Sequence, residues 1–298
     1  MTNNFLISLR NDWDGLGNPG TKLAKSSTYI EIPETATNYN LQKNKITTPD
    51  QWLGEIAGTS AITDTSVLVF VHGYDNDATK VVARHNAIKP RLPPGFTLVS
   101  FDWPAGNPHP TTYDVDKGNA AASAPNLISD CLQVLLRMFS SSKLHLLAHS
   151  MGAYVTETAF KTPKATQINH VMMAAADVNC SGLSAYWSQD DEALMFSVKE
   201  SINKGAVPLG LKGFPDPQIP DGCNAVECTG YYETYVENTR PAGISKQEFS
   251  HVWYLLYPIL PTIGINHFYT DMGEVLLESS TSPTRTQTGY ERLRSAVP

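Results

Sequence analysis

The sequence predicts an α/β fold, a mostly parallel central sheet with helices on both faces. Three observations predict it. Short apolar runs without polar alternation recur along the chain, as strands buried on both faces require. Between several of them lie stretches with apolar residues at helical spacing. The apolar runs break off at His72-Gly73, Trp103, Ser150, Asp177 and Asp190-Asp191, and right-handed crossovers place such breaks along one edge of the sheet.

Residues 1–62 offer two short strands, "NFLISLR" and "STYIEIP", separated by the turn-rich "NDWDGLGNPGTK". "TSVLVFVHGYDND" is a central strand ending at His72-Gly73, and "FTLVSFDWPAGN" repeats the pattern up to Trp103-Pro104. "APNLISDCLQVLLRMF" is helical by the spacing of Leu127, Ile128, Leu132, Leu135, Leu136 and Phe139. "KLHLLAH" is the next strand and "MGAYVTETAFK" the next helix. "INHVMMAAADVN" and "LSAYWSQDD" read as further strands, "NAVECTG" as a last one, and "YTDMGEVLLESS" as a closing helix with Asp271 and Glu274 as its capping box. A single domain over 1–298 is expected. The Pro- and Gly-rich loop 204–222 and the insert 229–262 interrupt its rhythm, the latter a lid or an apolar helix packed on the core.

Composition narrows the function. With 41% hydrophobic and 17% charged residues the chain can bury a large core. A formal charge of -7 argues against nucleic-acid or anionic-membrane partners. The N-terminus lacks the basic and apolar blocks of a signal peptide, so a cytoplasmic protein is expected, although a mature secreted form would read the same. "VWYLLYPILPTIGI" is shorter than the roughly 20 residues of a membrane-spanning helix and is broken by two prolines. Four cysteines do not make a disulfide scaffold; Cys131 reads as a core residue, and Cys223 and Cys228 are a weak metal signal.

The chemistry centres on "LLAHSMGAYV". A serine between a buried strand and a helix, with small Ala148 and Gly152 two positions to either side, fits a nucleophile elbow. The plainer alternative is that Ser150 caps the helix. A serine hydroxyl needs a base, and in this architecture the acid and the histidine follow the serine in that order. Of the eight histidines, His170 lies inside an apolar strand, leaving His251 and His267 after Ser150. We favour His267, in a loop just ahead of the closing helix, over His251 in a helical stretch. The acid comes from a strand end: Asp191, then Asp190, with Asp177 open. Asp216 and Asp221 read as turn residues. The amides of Met151 and Tyr74 are the expected oxyanion donors, with Gly73 allowing close approach. Trp103 is a candidate substrate-binding wall or, more plainly, packing.

"VLVFVHGYDND", "VSFDWPAGN", "LLAHSMGAYV", "MMAAADVN" and "YWSQDDEAL" together resemble the α/β-hydrolase superfamily. They are most similar to its bacterial branch carrying H-G-[FY]-[ND], W-P and A-H-S-M-G, many of whose members have no assigned function. The resemblance covers about residues 65 to 195 well and the C-terminal part loosely. It implies Ser150 as nucleophile, an oxyanion hole at Tyr74 and Met151, and no metal or organic cofactor. The acidic residue followed by Ala-Leu after "YWS" places the acid at Asp191, and Asp177 near the site. The expected activity is ester hydrolysis of small or lipid-like substrates through an acyl-enzyme, esterase- or lipase-like. An acyltransferase, amidase or peptidase would use the same residues, and a hydrolase-fold binding protein is the non-catalytic alternative.

Overall fold

The computed structural model describes residues 3–59, 65–106, 112–165, 167–177, 184–187, 190–191, 194, 210, 224–229 and 232–256. Contacts divide the chain into two compact units, with the boundary between Asn169 and His170.

The first unit opens with an antiparallel hairpin. β1 (Asn3–Asp12) and β2 (Pro19–Pro33) pair from Asn3 opposite Pro33 to Asp12 opposite Pro19. β2 starts well before the expected "STYIEIP", because its exposed first half follows β1 through two register shifts. β3 (Lys45–Ile46) extends the edge. Helix α1 (Pro49–Thr59) departs from the expectation of strands and turns over 1–62. Gly54 and Gly58 dilute its helical signal, yet Trp52, Leu53 and Ile56 are all buried. Trp52 packs edge-on against Phe5 and tilted against Tyr29, tying the helix to the hairpin.

The centre of this unit is parallel. β4 (Ser66–Val71), β5 (Phe96–Asp102) and β6 (Leu144–His149) give the order β3-β2-β1-β5-β4-β6. Every residue of β4 and β6 is buried, which explains why they read as continuous apolar runs. Val71 lies opposite both Phe101 and Ala148, so the three strands end at one level. Helix α2 (Ala78–Ile88) connects β4 to β5 and is capped by Asp77, whose side chain accepts from the Lys80 amide at 2.8 Å. Helix α3 (Tyr113–Asn126) passes through a π-segment, Leu127–Leu132, into the short α4 (Gln133–Leu135). Pro125, which has no amide proton to donate, sits just ahead of the widened turn. The apolar stripe expected there is buried at Leu127, Ile128, Leu132 and Leu135, with Cys131 among them. Helix α5 (Met151–Phe160) follows β6 directly.

In the second unit β7 (His170–Ala174), β8 (Ser184–Trp187) and β9 (Asn224–Glu227) are parallel neighbours in that order. His170 begins β7 and is half-buried. Helix α6 (Lys246–Leu256) buries Phe249, Val252, Trp253, Tyr254 and Leu255. Tyr232 packs its ring on Phe249 and Trp253. The apolar stretch expected over 252–265 thus begins as a packed helix. Its remainder, His267, the closing-helix segment and the 204–222 loop apart from Gly210 lie outside the described residues. Among the described residues no helix is long and apolar enough to cross a membrane.

Candidate active site

Ser150 stands between the last residue of β6 and the first of α5, with φ 53° and ψ −125°. Side chains other than glycine are strained there by about 1–3 kcal/mol, and the surrounding packing must hold them. Gly152 supplies part of that packing. A Cβ at this position would lie 2.3 Å from the Val71 carbonyl oxygen and 2.5 Å from that of His72. Only a bare Cα therefore lets the first turn of α5 rest on the end of β4. The loop leaving β4 comes equally close on the other side. A Cβ on Gly73 would stand 2.7 Å from the Ser150 Cβ and 2.9 Å from the His149 carbonyl oxygen. The serine, the Met151 amide that begins α5 and the Gly73-Tyr74 peptide thus converge at the ends of β4 and β6.

Beneath this loop lies a buried polar network. Arg10, from β1, donates through Nε to both carboxylate oxygens of Asp102 at 2.9 Å. Its Nη1 donates to the Ala105 carbonyl at 2.5 Å and its Nη2 to the Asn76 carbonyl at 2.6 Å. Tyr39 hydroxyl also donates to Asp102, and the His72 ring lies 3.0 Å from it through Nε2. Burial alone would push the Asp102 carboxyl up. The Arg10 charge and the His72 hydrogen bond outweigh it and hold the group well below the usual carboxylate range. The Tyr39 phenol is raised by burial and by the Asp102 charge. Trp103, a candidate for a pocket wall or for packing, is fully buried. Its indole stacks on His72 and donates to the His72 carbonyl at 2.7 Å, so it braces the loop from below.

An aromatic group flanks the loop. Tyr74 lies 5.5 Å from Tyr113 between ring centroids, and the Lys117 ammonium sits over the rings of Tyr113 and Tyr154. Burial raises the Tyr74 phenol, partly offset by a hydrogen bond from Thr112.

In the second unit, Asp191 is fully buried and doubly engaged. Its Oδ1 accepts from the Leu194 amide at 3.0 Å, and its Oδ2 accepts from His251 Nδ1 at 2.8 Å. A carboxylate only accepts, so Nδ1 carries the proton and the ring is held in one tautomer. Asp177 is buried after β7 and Asp190 is half-buried. The structure therefore brings the expected acid to His251, the histidine we ranked second, and His267 lies outside the described residues.

Sequence reasoning missed Arg10, Asn76, Arg84 and Asp102. One signal was available: Arg10 and Asp102 are lone charges at the ends of apolar strands, "NFLISLR" and "LVSFD". Charges there need a partner, and each is the other's.

The strand order and the strained strand-to-helix serine define an alpha/beta hydrolase fold. Residues 50–212, more than half of the chain, match the model of a family described as alpha/beta hydrolase of unknown function (DUF900), and the chain belongs to that family. No curated protein matches the sequence. Among solved structures, it is similar to a ferulic acid esterase from Streptomyces cinnamoneus at 10% identity, over 97% of this chain and 94% of that one, with a TM-score of 0.42. A structure described as EstE5-PMSF shares 12% identity over 74% of this chain and 79% of that one, with a TM-score of 0.40. An extracellular alpha/beta-hydrolase from a Paenibacillus species shares 14% identity over 73% of this chain and all of that one, with a TM-score of 0.32.

Proposed function

We propose that the protein is a serine hydrolase that cleaves carboxylic esters of small or lipid-like molecules through an acyl-enzyme. The observation that carries this reading is the backbone of Ser150, held at φ 53° and ψ −125° between β6 and α5. Strain of this kind at a strand-to-helix junction is a device for presenting a hydroxyl. Ser150 Oγ attacks the ester carbonyl while a histidine takes its proton. The tetrahedral oxyanion accepts hydrogen bonds from the Tyr74 and Met151 amides. Collapse expels the alcohol, which takes the proton back from the imidazolium. Water, deprotonated by the same histidine, then attacks the acyl group on Ser150, and collapse releases the acid as the imidazolium returns its proton to Ser150 Oγ.

For the base we propose His251 in place of His267. Support comes from the Asp191–His251 hydrogen bond, which fixes Nδ1 as the protonated nitrogen and leaves Nε2 as the basic one. Asp191 then orients the ring and stabilises the imidazolium, as the acid of a triad does. Hydrolysis of p-nitrophenyl esters of increasing chain length tests the assignment. Ser150→Ala and His251→Ala should each lower kcat by about a thousandfold or more, with His267→Ala close to wild type. The opposite order for the two histidines would return the base to His267.

A further inference from the structure

We infer that Asn76 is a positioning residue for the oxyanion site: its side-chain amide, polarised by Arg84, turns the Gly73-Tyr74 peptide so that the Tyr74 N–H faces the developing charge. The inference rests on the ester-hydrolase reading above and adds to it a residue that does not touch substrate.

Asn76 is buried at the base of the loop it serves. Its Nδ2 donates to two backbone carbonyls of that loop, Gly73 at 2.9 Å and Tyr74 at 2.8 Å. Its Oδ1 accepts from Arg84 Nε at 2.5 Å. The orientation of the amide is decided by chemistry. Carbonyl oxygens only accept and a guanidinium only donates, so a flipped amide would face two acceptors with its oxygen and a donor with its NH₂. Arg84 extends from α2, and Arg10 adds a second restraint by donating to the Asn76 carbonyl at 2.6 Å.

The consequence follows from peptide geometry. In a trans peptide the C=O and N–H of one unit point in opposite directions. The Gly73 oxygen is held on the buried side by Asn76 Nδ2, with His72 Nδ1 also 2.9 Å away. The Tyr74 N–H of the same peptide is thereby turned away from the buried side. A Cβ on Gly73 would stand 2.7 Å from the Ser150 Cβ, so this peptide begins at a residue packed beside the serine. An amide fixed in advance stabilises an oxyanion without reorganising during the reaction. If the clamp is released, the peptide plane can rotate, and the transition state loses its donor while ground-state binding is little changed.

Asn76→Asp tests this. It keeps the shape of the side chain and gives Arg84 an ion-pair partner, yet an ionised carboxylate donates nothing to the Gly73 and Tyr74 carbonyls. We expect a folded protein with kcat on p-nitrophenyl acetate about ten- to a hundredfold lower, KM within about twofold, and phosphonylation of Ser150 by a fluorophosphonate slowed in parallel. If aspartate at this position prevents folding, Asn76→Ser, which retains a single hydroxyl donor, is read in the same way and should show a smaller loss in kcat. An unchanged kcat, or a raised KM with kcat preserved, in a variant compared with an active wild type would overturn the inference alone. A wild type that neither turns over ester nor reacts at Ser150 would overturn the hydrolase reading itself.

Discussion

Ser150 occupies a conformation that its own Cβ disfavours, and the residues around it are chosen for their lack of bulk. At Gly73 and at Gly152 a methyl group would strike backbone or the serine itself. Ala148, also buried, stands where the common form of the motif has glycine. It lies opposite Val71 in the β4–β6 ladder, where a methyl group is accommodated. The strain makes a prediction independent of catalysis. Ser150→Gly and Ser150→Ala both remove the hydroxyl, but only glycine adopts this φ without cost. Ser150→Gly should therefore be more stable than Ser150→Ala by about 1 kcal/mol, since relief of the strain exceeds the added freedom of glycine in the unfolded chain. Thermal melts of the two variants read the difference directly. Equal stabilities would mean that the backbone at this junction is not strained. Ser150 and its small neighbours were legible in the sequence because they are contiguous. Asn76 was not singled out although it lies within the quoted "HGYDND", because its role depends on Arg84 and on carbonyls whose direction no pattern of letters encodes.

The elements are held together by polar contacts as well as by apolar burial. Arg10 and Asp102 join β1 to β5 beneath the loop that leaves β4, so the site rests on three strands at once. Helix α2 is tied to β5 in a similar way. His85 on α2 is fully buried, and its Nδ1 lies 2.8 Å from the Ser100 hydroxyl. Burial, with a smaller push from the Lys89 charge, lowers the His85 pKa to about 3. The unfolded chain binds a proton at this histidine near its ordinary value of about 6.5. Between about pH 6.5 and about 3 the unfolded state therefore holds more protons than the folded one. Stability falls as the pH drops through that window, by up to about 1.4 kcal/mol per unit from this group. Urea titrations at pH 7, 6, 5 and 4 should show this decline in the wild type and a shallower one in His85→Gln. Parallel curves would show that His85 does not stay neutral in the fold. Helices α1 and α6 illustrate what remained ambiguous in the sequence. α1 carries two glycines, and the apolar residues of α6 run on into a proline-broken stretch, so both fit a loop or lid as readily as a packed helix. Burial of Trp52 in one and of Trp253 in the other is a tertiary fact.

For the whole molecule, the alternation of buried runs and helices was enough to anticipate the parallel β4, β5 and β6 and their shared end, because strands covered on both faces leave a continuous apolar signature. The partner of the acid was harder to read. Asp191 and His251 are sixty residues apart and join through a hydrogen bond, whereas a position just before a closing helix made His267 the more attractive candidate. The family match stops at residue 212, short of either histidine. The measurement that bears most directly on the central claim is therefore covalent. Wild type, His251→Ala and His267→Ala would be treated with a fluorophosphonate, digested, and the adduct located and timed by mass spectrometry. The account predicts a single phosphonyl group on Ser150, formed much more slowly in His251→Ala and at the wild-type rate in His267→Ala. An adduct on a different residue, or none on the wild-type protein, would contradict it.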